Sequence, residues 1–150
     1  MEPERALFLT VAFATHAAVG YALVRGFTDA DPRLGAVVGV APDADFLFPA
    51  AWGWPFVHRG ITHAPLVAAL VVLGVAAVRR NGTRSIASAI GLALGSHLAI
   101  DSLSPKGIPL AFPLEATWSP GLSVHGPTAT VLLLSFAGAV LVWRTDGPIT

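Results

Sequence analysis

The chain has 150 residues, enough for one domain, and its formal net charge is zero. Charged residues make up 12% of it, about half of the roughly 25% found in soluble domains, and the mean hydropathy is +0.69. The neutral balance gives no sign of a polyanionic partner, so nucleic acid is not expected to bind. The chain has no cysteine, which excludes disulfides and thiolate ligands. Any metal ion would therefore be held by imidazole and carboxylate groups.

The apolar residues fall into long blocks. Four stretches of 16 to 19 residues contain no Asp, Glu, Lys or Arg, namely 6–24, 61–78, 85–100 and 126–143. A membrane-spanning helix needs about 20 apolar residues, with about 17 at the lower end, so each stretch is a short candidate span, and the third can extend through Leu103 past Asp101. A fifth segment, 34–48, is interrupted at Pro42 and is predicted to be a helix that ends near this proline. Residues 1–150 are thus predicted to form a single membrane-embedded all-α domain, a polytopic transmembrane helical bundle of four to five helices.

Basic residues predict how the bundle is oriented. Arg79, Arg80 and Arg84 cluster between the second and third stretches, and the positive-inside rule makes that loop cytoplasmic. Alternation then places six basic residues inside and three outside, with the N-terminus outside. The predicted location is the cell membrane, with several spans. In this topology four of the five histidines and three of the six aspartates meet at the extracytoplasmic face.

Two short motifs could supply metal ligands. His97 and Asp101 are four residues apart on a predicted helix, so both side chains lie on one face. Two ligands of one ion can be arranged this way, although a polar pair facing a neighbouring helix has the same spacing. The string Pro42-Asp-Ala-Asp45 places two carboxylates after a helix-breaking proline, where they can chelate a divalent ion or simply be solvated. A carboxylate near hydrocarbon is costly unless it is paired or ligating, which favours the ligand interpretation for Asp101.

The third motif is His58-Arg-Gly-Ile-Thr-His63. Its two histidines are five residues apart, about 500° around a helix, and cannot share a helical face. Thr62 is a natural N-cap and Pro65 suits a first helical turn, so His63 is predicted to open the third helix. The start of the motif then lies in the preceding loop. There Arg59 could bind a phosphate or carboxylate oxygen bidentately, or it could anchor lipid headgroups.

Three further residues leave two interpretations open. His16 lies about halfway along the first apolar stretch, where it is either a hydrogen-bonded core residue or a functional intramembrane group. His125 precedes Gly126 and Pro127 at the start of the last stretch, where capping or an interfacial role competes with ligation. Glu115 is the only acid in the Pro-rich segment between the last two helices, either a base or a solvated loop residue.

These strings resemble the YdjM family, described as LexA-binding, inner-membrane-associated predicted hydrolases. The matching strings are Pro42-Asp-Ala-Asp45, His58-Arg-Gly-Ile-Thr-His63, Ser96-His-Leu-Ala-Ile-Asp101 and 104–114, with His16 as an early histidine of the first helix. The resemblance spans about residues 10 to 115, and its most specific string is His-Arg-Gly-x-Thr-His. The chain departs from it at two positions, because Phe46 stands where many relatives have His and Ala64 where many have Ser.

The resemblance implies a membrane-bound, metal-dependent hydrolase. Carried over motif by motif, its metal ligands are His16, Asp43, Asp45, His58, His63, His97 and Asp101. Arg59 also matches and is expected to be catalytic, by steadying the negative charge that develops during hydrolysis. Seven candidates exceed the needs of one tetrahedral ion and suit two ions, with zinc expected, that share Asp43 or Asp45. A looser similarity to zinc-dependent phospholipase C enzymes suggests a phosphoester substrate.

The expected function is hydrolysis of a phosphoester or lipid-like substrate by a metal-activated water. The expected partners are membrane lipids and a small-molecule or lipid substrate, since a site at the interface favours an amphiphilic molecule. The alternative is a non-catalytic membrane protein, either an interaction partner or a metal-bound structural bundle. The LexA association belongs to that class and would need a cytoplasmic face, on the side away from the predicted site.

Overall fold

The architecture is helical. The computed structural model describes residues 2–78 and 83–146, and within these residues it contains five α-helices and no β-strand. The α-helices are α1 Pro3–Phe27, α2 Pro32–Val40, α3 Pro65–Ala77, α4 Thr83–Leu103 and α5 Pro127–Asp146. Three short 3₁₀ segments lie between α2 and α3, at Ala41–Leu47, Ala50–Trp52 and Ile61–His63. The predicted all-α class is confirmed.

The helices differ in their ability to cross a membrane. By length and composition, α1, α4 and α5 are long and apolar enough to do so. The 13 residues of α3 are apolar, but at 1.5 Å per residue they extend only about 20 Å, less than the roughly 30 Å of a bilayer core. The nine residues of α2 extend less still. The bundle therefore combines three helices of spanning length with two shorter ones.

The outward faces of α3 and α5 are apolar. Leu66, Leu70 and Leu73 on α3 are at least half exposed, as are Val131 and Leu132 on α5. Water-soluble monomers rarely expose continuous apolar surfaces, whereas lipid tails are as apolar as leucine and solvate such surfaces readily. These faces are therefore suited to contact lipid.

The longest helix, α1, occupies the centre of the bundle. It packs against α2, α4 and α5, while α3 packs mainly against α4. A small apolar core fills the space around α1 and consists of Val19, Ala22, Ile100, Ala137 and Val140. Because α1 reaches three other helices, a polar residue on its buried face can be contacted from several elements.

Prolines determine where helices begin and end. A proline occupies the first turn of α1, α2 and α3, where its missing N–H would have no intrahelical partner anyway. Pro42 has the opposite effect, because α2 ends two residues before it and the chain continues as the 3₁₀ segment Ala41–Leu47. The predicted helix end near Pro42 is therefore observed. It leaves Asp43 and Asp45 on a tight segment at one end of the bundle.

The start of α3 differs from the prediction. Thr62 was expected to cap this helix with His63 opening it, but α3 begins at Pro65 with Ala64 as its N-cap residue. The hydroxyl of Thr62 instead donates to Asp45 Oδ2 at 2.7 Å, and His63 lies in the preceding 3₁₀ turn. Hydrogen bonds to an ionised carboxylate are about twice as strong as neutral ones, so Asp45 holds this turn outside the helix.

The basic cluster that predicted the orientation lies partly outside the described residues. Arg79 and Arg80 fall in the gap between 78 and 83, and Arg84 is exposed in the first turn of α4. The 28–31 connection lies at the same end of the bundle as the last residues of α3, because α1 and α3 both run away from the 3₁₀ segments. Which side of the membrane this end faces stays a prediction.

Glycines allow α1 and α2 to approach closely. A Cβ on Gly35 would lie 2.3 Å from the carbonyl oxygen of Gly20, and one on Gly39 would lie 2.7 Å from the carbonyl oxygen of His16. Small residues spaced four apart allow membrane helices to pack closely together. This contact sets His16 against the end of α2, next to the segment that bears Asp43.

We expect Gly35→Ala to destabilise the bundle by about 1–3 kcal/mol, because its methyl group would overlap the α1 backbone. Thermal unfolding of the purified protein in detergent measures the effect. The matched control is Gly74→Ala in α3, whose Cβ would meet nothing within 4 Å. That control should be neutral or slightly stabilising, since alanine favours a helix by about 1 kcal/mol over glycine. Equal unfolding temperatures for the two variants would contradict the close α1–α2 contact.

Candidate metal centre

The seven metal ligands predicted from the sequence meet at the end of the bundle where α2 and α4 finish and α3 begins. An eighth polar side chain, that of His125, joins them from the residues just before α5. We call these eight residues the His/Asp cluster: His16, Asp43, Asp45, His58, His63, His97, Asp101 and His125. His16 lies 13 residues into α1, about 20 Å from its first residue, so the N-terminal half of α1 extends past the cluster.

Four buried side chains of the cluster are spaced as the corners of a tetrahedron would be. The converging atoms are His63 Nε2, His97 Nε2, Asp43 Oδ1 and Asp101 Oδ2. Five of the six distances between these atoms run from 3.1 to 3.9 Å. Four ligands that hold an ion tetrahedrally at about 2.1 Å lie about 3.4 Å apart. The spacing and the donor types therefore fit a divalent metal ion such as zinc.

Hydrogen bonds on the far side of two imidazole rings turn their Nε2 atoms toward this group. His97 Nδ1 lies 2.7 Å from the carbonyl oxygen of Gly39, which can only accept, so Nδ1 carries the proton. His63 Nδ1 lies 2.9 Å from Thr62 Oγ1 and 3.1 Å from Asp45 Oδ2. Because the Thr62 hydroxyl already donates to Asp45, it accepts from His63. Metal-binding histidines are typically held in this way.

Asp45 is surrounded by donors. Its Oδ1 lies 2.8 Å from His58 Nδ1, and its Oδ2 accepts from the backbone N–H of Arg59 at 2.9 Å and from Thr62. Burial by itself would raise the pKa of Asp45, but the donors from His58, His63, Thr62 and the Arg59 backbone hold this pKa well below its usual range. Both oxygens are thus engaged, which suits Asp45 to an orienting role. Asp45, His58 and His63 also form a group that could hold an ion, so the ligand role of Asp45 stays a prediction.

Three carboxylates make the electrostatic potential at the ring of His63 negative. Burial would lower the pKa of His63, but the carboxylates of Asp101, Asp43 and Asp45 raise it to about 10. The field that favours a proton on this ring also favours a divalent cation among the carboxylates. The electrostatics of the cluster therefore agree with its geometry.

His58 occupies the outer side of the cluster. Its ring stacks on Phe46 with 3.9 Å between ring centroids, and its side chain is 22% exposed. Phe46 thus forms a wall against His58. The structure places His58 beside Asp45 and outside the tetrahedral group.

Arg59 is a buried cation that ties the third motif to the end of α4. Its Nη2 lies 3.1 Å from Asp101 Oδ2, and its Nη1 donates to the hydroxyl of Ser104 and to the carbonyl oxygen of Gly107. Its Nε has no hydrogen-bond partner among residues 2–78 and 83–146. The φ angle of Arg59 is +65°, a region rarely used by residues other than glycine and often found at functional sites.

Two spaces adjoin the His/Asp cluster. A cavity of about 670 Å³ is lined by the basic residues Arg5, Arg59 and Lys106 and by apolar residues that include Phe8, Leu9 and Val124. A smaller space of about 50 Å³ lies against His16, Asp43, Asp101 and other cluster members. The two share six lining residues, namely Phe8, Leu9, Phe46, His58, Arg59 and His125. The larger cavity has the volume of a small-molecule site.

Some of these contacts could not be read from the sequence. His125, for which capping and ligation were both open, lies 3.1 Å from Asp101 Oδ1, and α5 begins two residues later. Glu115 is exposed in its loop and outside the cluster. Ser104 and the carbonyl of Gly39 were missed, because a serine after a helix and a backbone oxygen carry no distinctive signal.

Spanning-length helices and a buried His/Asp group that can hold an ion define the class: a helical membrane protein with a candidate metal centre. The chain belongs to the YdjM inner membrane protein family, whose model matches residues 11–150. No curated protein and no solved structure matches the chain significantly. The resemblance inferred from the motifs is thereby confirmed at the level of the family.

We expect Asp45→Asn to weaken metal binding by about 10–100-fold, because an amide cannot accept from all the donors that surround this carboxylate. Asp101→Asn should abolish binding, since it alters a group inside the tetrahedron. Metal content after dialysis against graded chelator concentrations measures both. Glu115→Gln, at an exposed acid, is the control and should bind like the wild type. If Asp45→Asn loses metal as completely as Asp101→Asn, Asp45 is a ligand as the sequence predicted.

Proposed function

We propose that the protein is a membrane-bound, metal-dependent hydrolase that acts on a phosphoester with a lipid-like body. One observation carries the proposal: a buried group with the spacing of tetrahedral ligands adjoins a cavity whose lining combines basic and apolar residues. The metal is proposed to be zinc, because imidazole and carboxylate are the donors present and both suit zinc. The ligands are those of the tetrahedral group, His63, His97, Asp43 and Asp101.

The lining of the larger cavity supports an amphiphilic anion as substrate. Arg5, Arg59 and Lys106 supply three positive charges, while Phe8 and Leu9 are among its apolar residues. Burial and the neighbouring Arg59 lower the pKa of Lys106. A bound anion would relieve this repulsion between like charges. A phosphate group near the basic residues and an acyl chain against the apolar residues would match both kinds of lining.

Arg59 has a specific part in this proposal. When bound, the metal would supply a water activated near neutral pH. Arg59 holds the third motif against α4 through Asp101, and its Nε–H remains without a partner among the described residues. Arg59 also lines the larger cavity, where its guanidinium is suited to approach an oxygen of an anionic substrate. There it would stabilise negative charge that develops during hydrolysis.

The first test is hydrolysis by the purified protein reconstituted with zinc. We expect turnover of phosphoesters, with kcat/KM at least about tenfold higher for a long-chain substrate than for its short-chain analogue. Each methylene group buried in the cavity contributes about 0.8 kcal/mol. Removing metal with a chelator should abolish turnover and adding zinc should restore it. If no hydrolysis occurs with any divalent metal, the protein is a structural or interacting membrane protein instead.

The matched variants for this assay concern Arg59. Arg59→Gln should lower turnover by about 10–1,000-fold, with the roughly 2.7–4 kcal/mol attributed to one transition-state donor as the upper guide. It should retain metal, because removing a cation leaves the cluster more negative. Arg144→Gln, an exposed cation near the other end of α5, should behave like the wild type. Thermal unfolding verifies that each variant is folded. Loss of metal from Arg59→Gln, or full turnover by it, would exclude this role.

We further propose that the metal centre faces the extracytoplasmic side, which follows from the distribution of basic residues. The chain has no cysteine, so single cysteines report their own position. Glu115→Cys, on the side of the cluster, should react with a membrane-impermeant maleimide in right-side-out vesicles. Asp29→Cys, in the connection between α1 and α2, should react only after the vesicles are opened. The reverse pattern would place the site on the cytoplasmic side.

A further inference from the structure

We propose that the His/Asp cluster contains a second metal subsite, formed by His16, Asp101 and His125, and that Asp101 bridges the two subsites. The inference rests on the metal binding in the proposed function and not on hydrolysis. It differs from the arrangement expected from the sequence, in which Asp43 or Asp45 would be shared. It also adds His125, which the family motifs do not include.

The three groups converge at ligand spacing. His16 Nε2 lies 3.4 Å from Asp101 Oδ1, His125 Nε2 lies 3.1 Å from the same oxygen, and the two ring nitrogens lie 3.3 Å apart. These distances match one face of a tetrahedron around an ion with ligand bonds of about 2.1 Å. The other carboxylate oxygen of Asp101, Oδ2, belongs to the first group. Each oxygen of Asp101 therefore points to a different set of histidines.

Hydrogen bonding accounts for only part of this arrangement, because the two Nε2 atoms can pair with each other while Asp101 Oδ1 and His16 Nδ1 have no hydrogen-bond partner in the described part of the chain. Although two ring nitrogens approach Asp101 Oδ1, no hydrogen bond of normal geometry reaches this oxygen from the described part of the chain. His16 Nδ1 is likewise buried without a partner in that part. Buried polar atoms are nearly always paired. An ion shared by His16, His125 and Asp101 would satisfy the carboxylate oxygen and both Nε2 atoms at once.

The second subsite also has room for a further ligand. The first group offers four protein atoms, so its ion would need a fifth position to hold a water, whereas His16, Asp101 and His125 supply three and leave the fourth position open, as catalytic zinc sites do. The 50 Å³ space is lined by all three of these residues, and a water molecule occupies about 30 Å³. His125 also lines the larger cavity. The ion at this subsite is therefore the one that would face a substrate.

Charge distinguishes the two-ion arrangement from a one-ion arrangement. Asp43, Asp45 and Asp101 carry three negative charges and Arg59 carries one positive charge. One divalent ion would neutralise this set, and a second would leave two positive charges. An anionic substrate in the adjoining cavity would compensate for that excess. The second ion is thus expected to bind more weakly than the first.

The experiment counts the ions and asks whether they are coupled. Protein purified without metal is titrated with Mn²⁺, bound metal per chain is measured, and electron paramagnetic resonance spectra are recorded. The wild type should bind two ions in two steps and show an exchange-coupled pair, because a carboxylate bridge transmits the coupling. His125→Gln should bind one ion, with the six-line spectrum of isolated Mn²⁺. His16→Gln should give the same result and serves as the second variant if His125→Gln is unstable.

Ser123→Ala is the matched control, since Ser123 lines the same cavity two residues before His125 and carries no proposed ligand. It should bind two coupled ions. A wild type that binds a single ion, or a His125→Gln variant that still binds two, would overturn the bridged pair. Two coupled ions without phosphoester hydrolysis would support the subsite and reject the proposed function. Hydrolysis by a wild type that binds one ion would support the proposed function and reject the second subsite.

Discussion

The carboxylate of Asp101 is the group around which the rest of the structure is arranged. It is 1% exposed and lies in the last turns of an apolar helix, where an unpaired charge is costly. Compensation comes from parts of the chain far apart in sequence: His16 in α1, Arg59 and His63 in the third motif, and His125 before α5. Each of these elements removed from the bundle would leave the carboxylate with fewer partners. The requirement to satisfy Asp101 therefore holds four elements together.

The same contacts preorganise the cluster before any ion binds. The approach of α1 to α2 at their glycines puts His16 beside the 3₁₀ segment that carries Asp43. Hydrogen bonds that His97 donates to the Gly39 carbonyl and His63 to Asp45 fix the two rings. A site whose supporting groups are themselves packed and hydrogen-bonded loses little entropy when a ligand binds. Packing within the bundle and preorganisation of the site are thus two results of one set of interactions.

Much of the candidate site could be predicted from residue types and spacing. The alternation of helices sends the ends of α2 and α4 and the start of α3 to one place, so the three motifs had to approach one another. Which residues of these motifs face the tetrahedral group and which bind other side chains could not be predicted. Asp45 and Asp43 are two residues apart in the same string, yet Asp45 is enclosed by donors and Asp43 faces the tetrahedral group. Likewise, the capping role expected for Thr62 gave way to a bond with Asp45, a partner 17 residues away.

The sequence by itself determined the helical class, the apolar blocks, the breaks at prolines and the identity of the polar groups available to a metal. These properties depend on local composition and on residues that are near neighbours along the chain. Tertiary structure decided which atoms face one another: that Arg59 pairs with Asp101, that His125 completes a group with His16, and that cationic and apolar surfaces share one cavity. Such pairings depend on the rotation and depth of each helix. Close packing between distant segments sets these to within a few ångströms, a precision that side-chain periodicity does not carry.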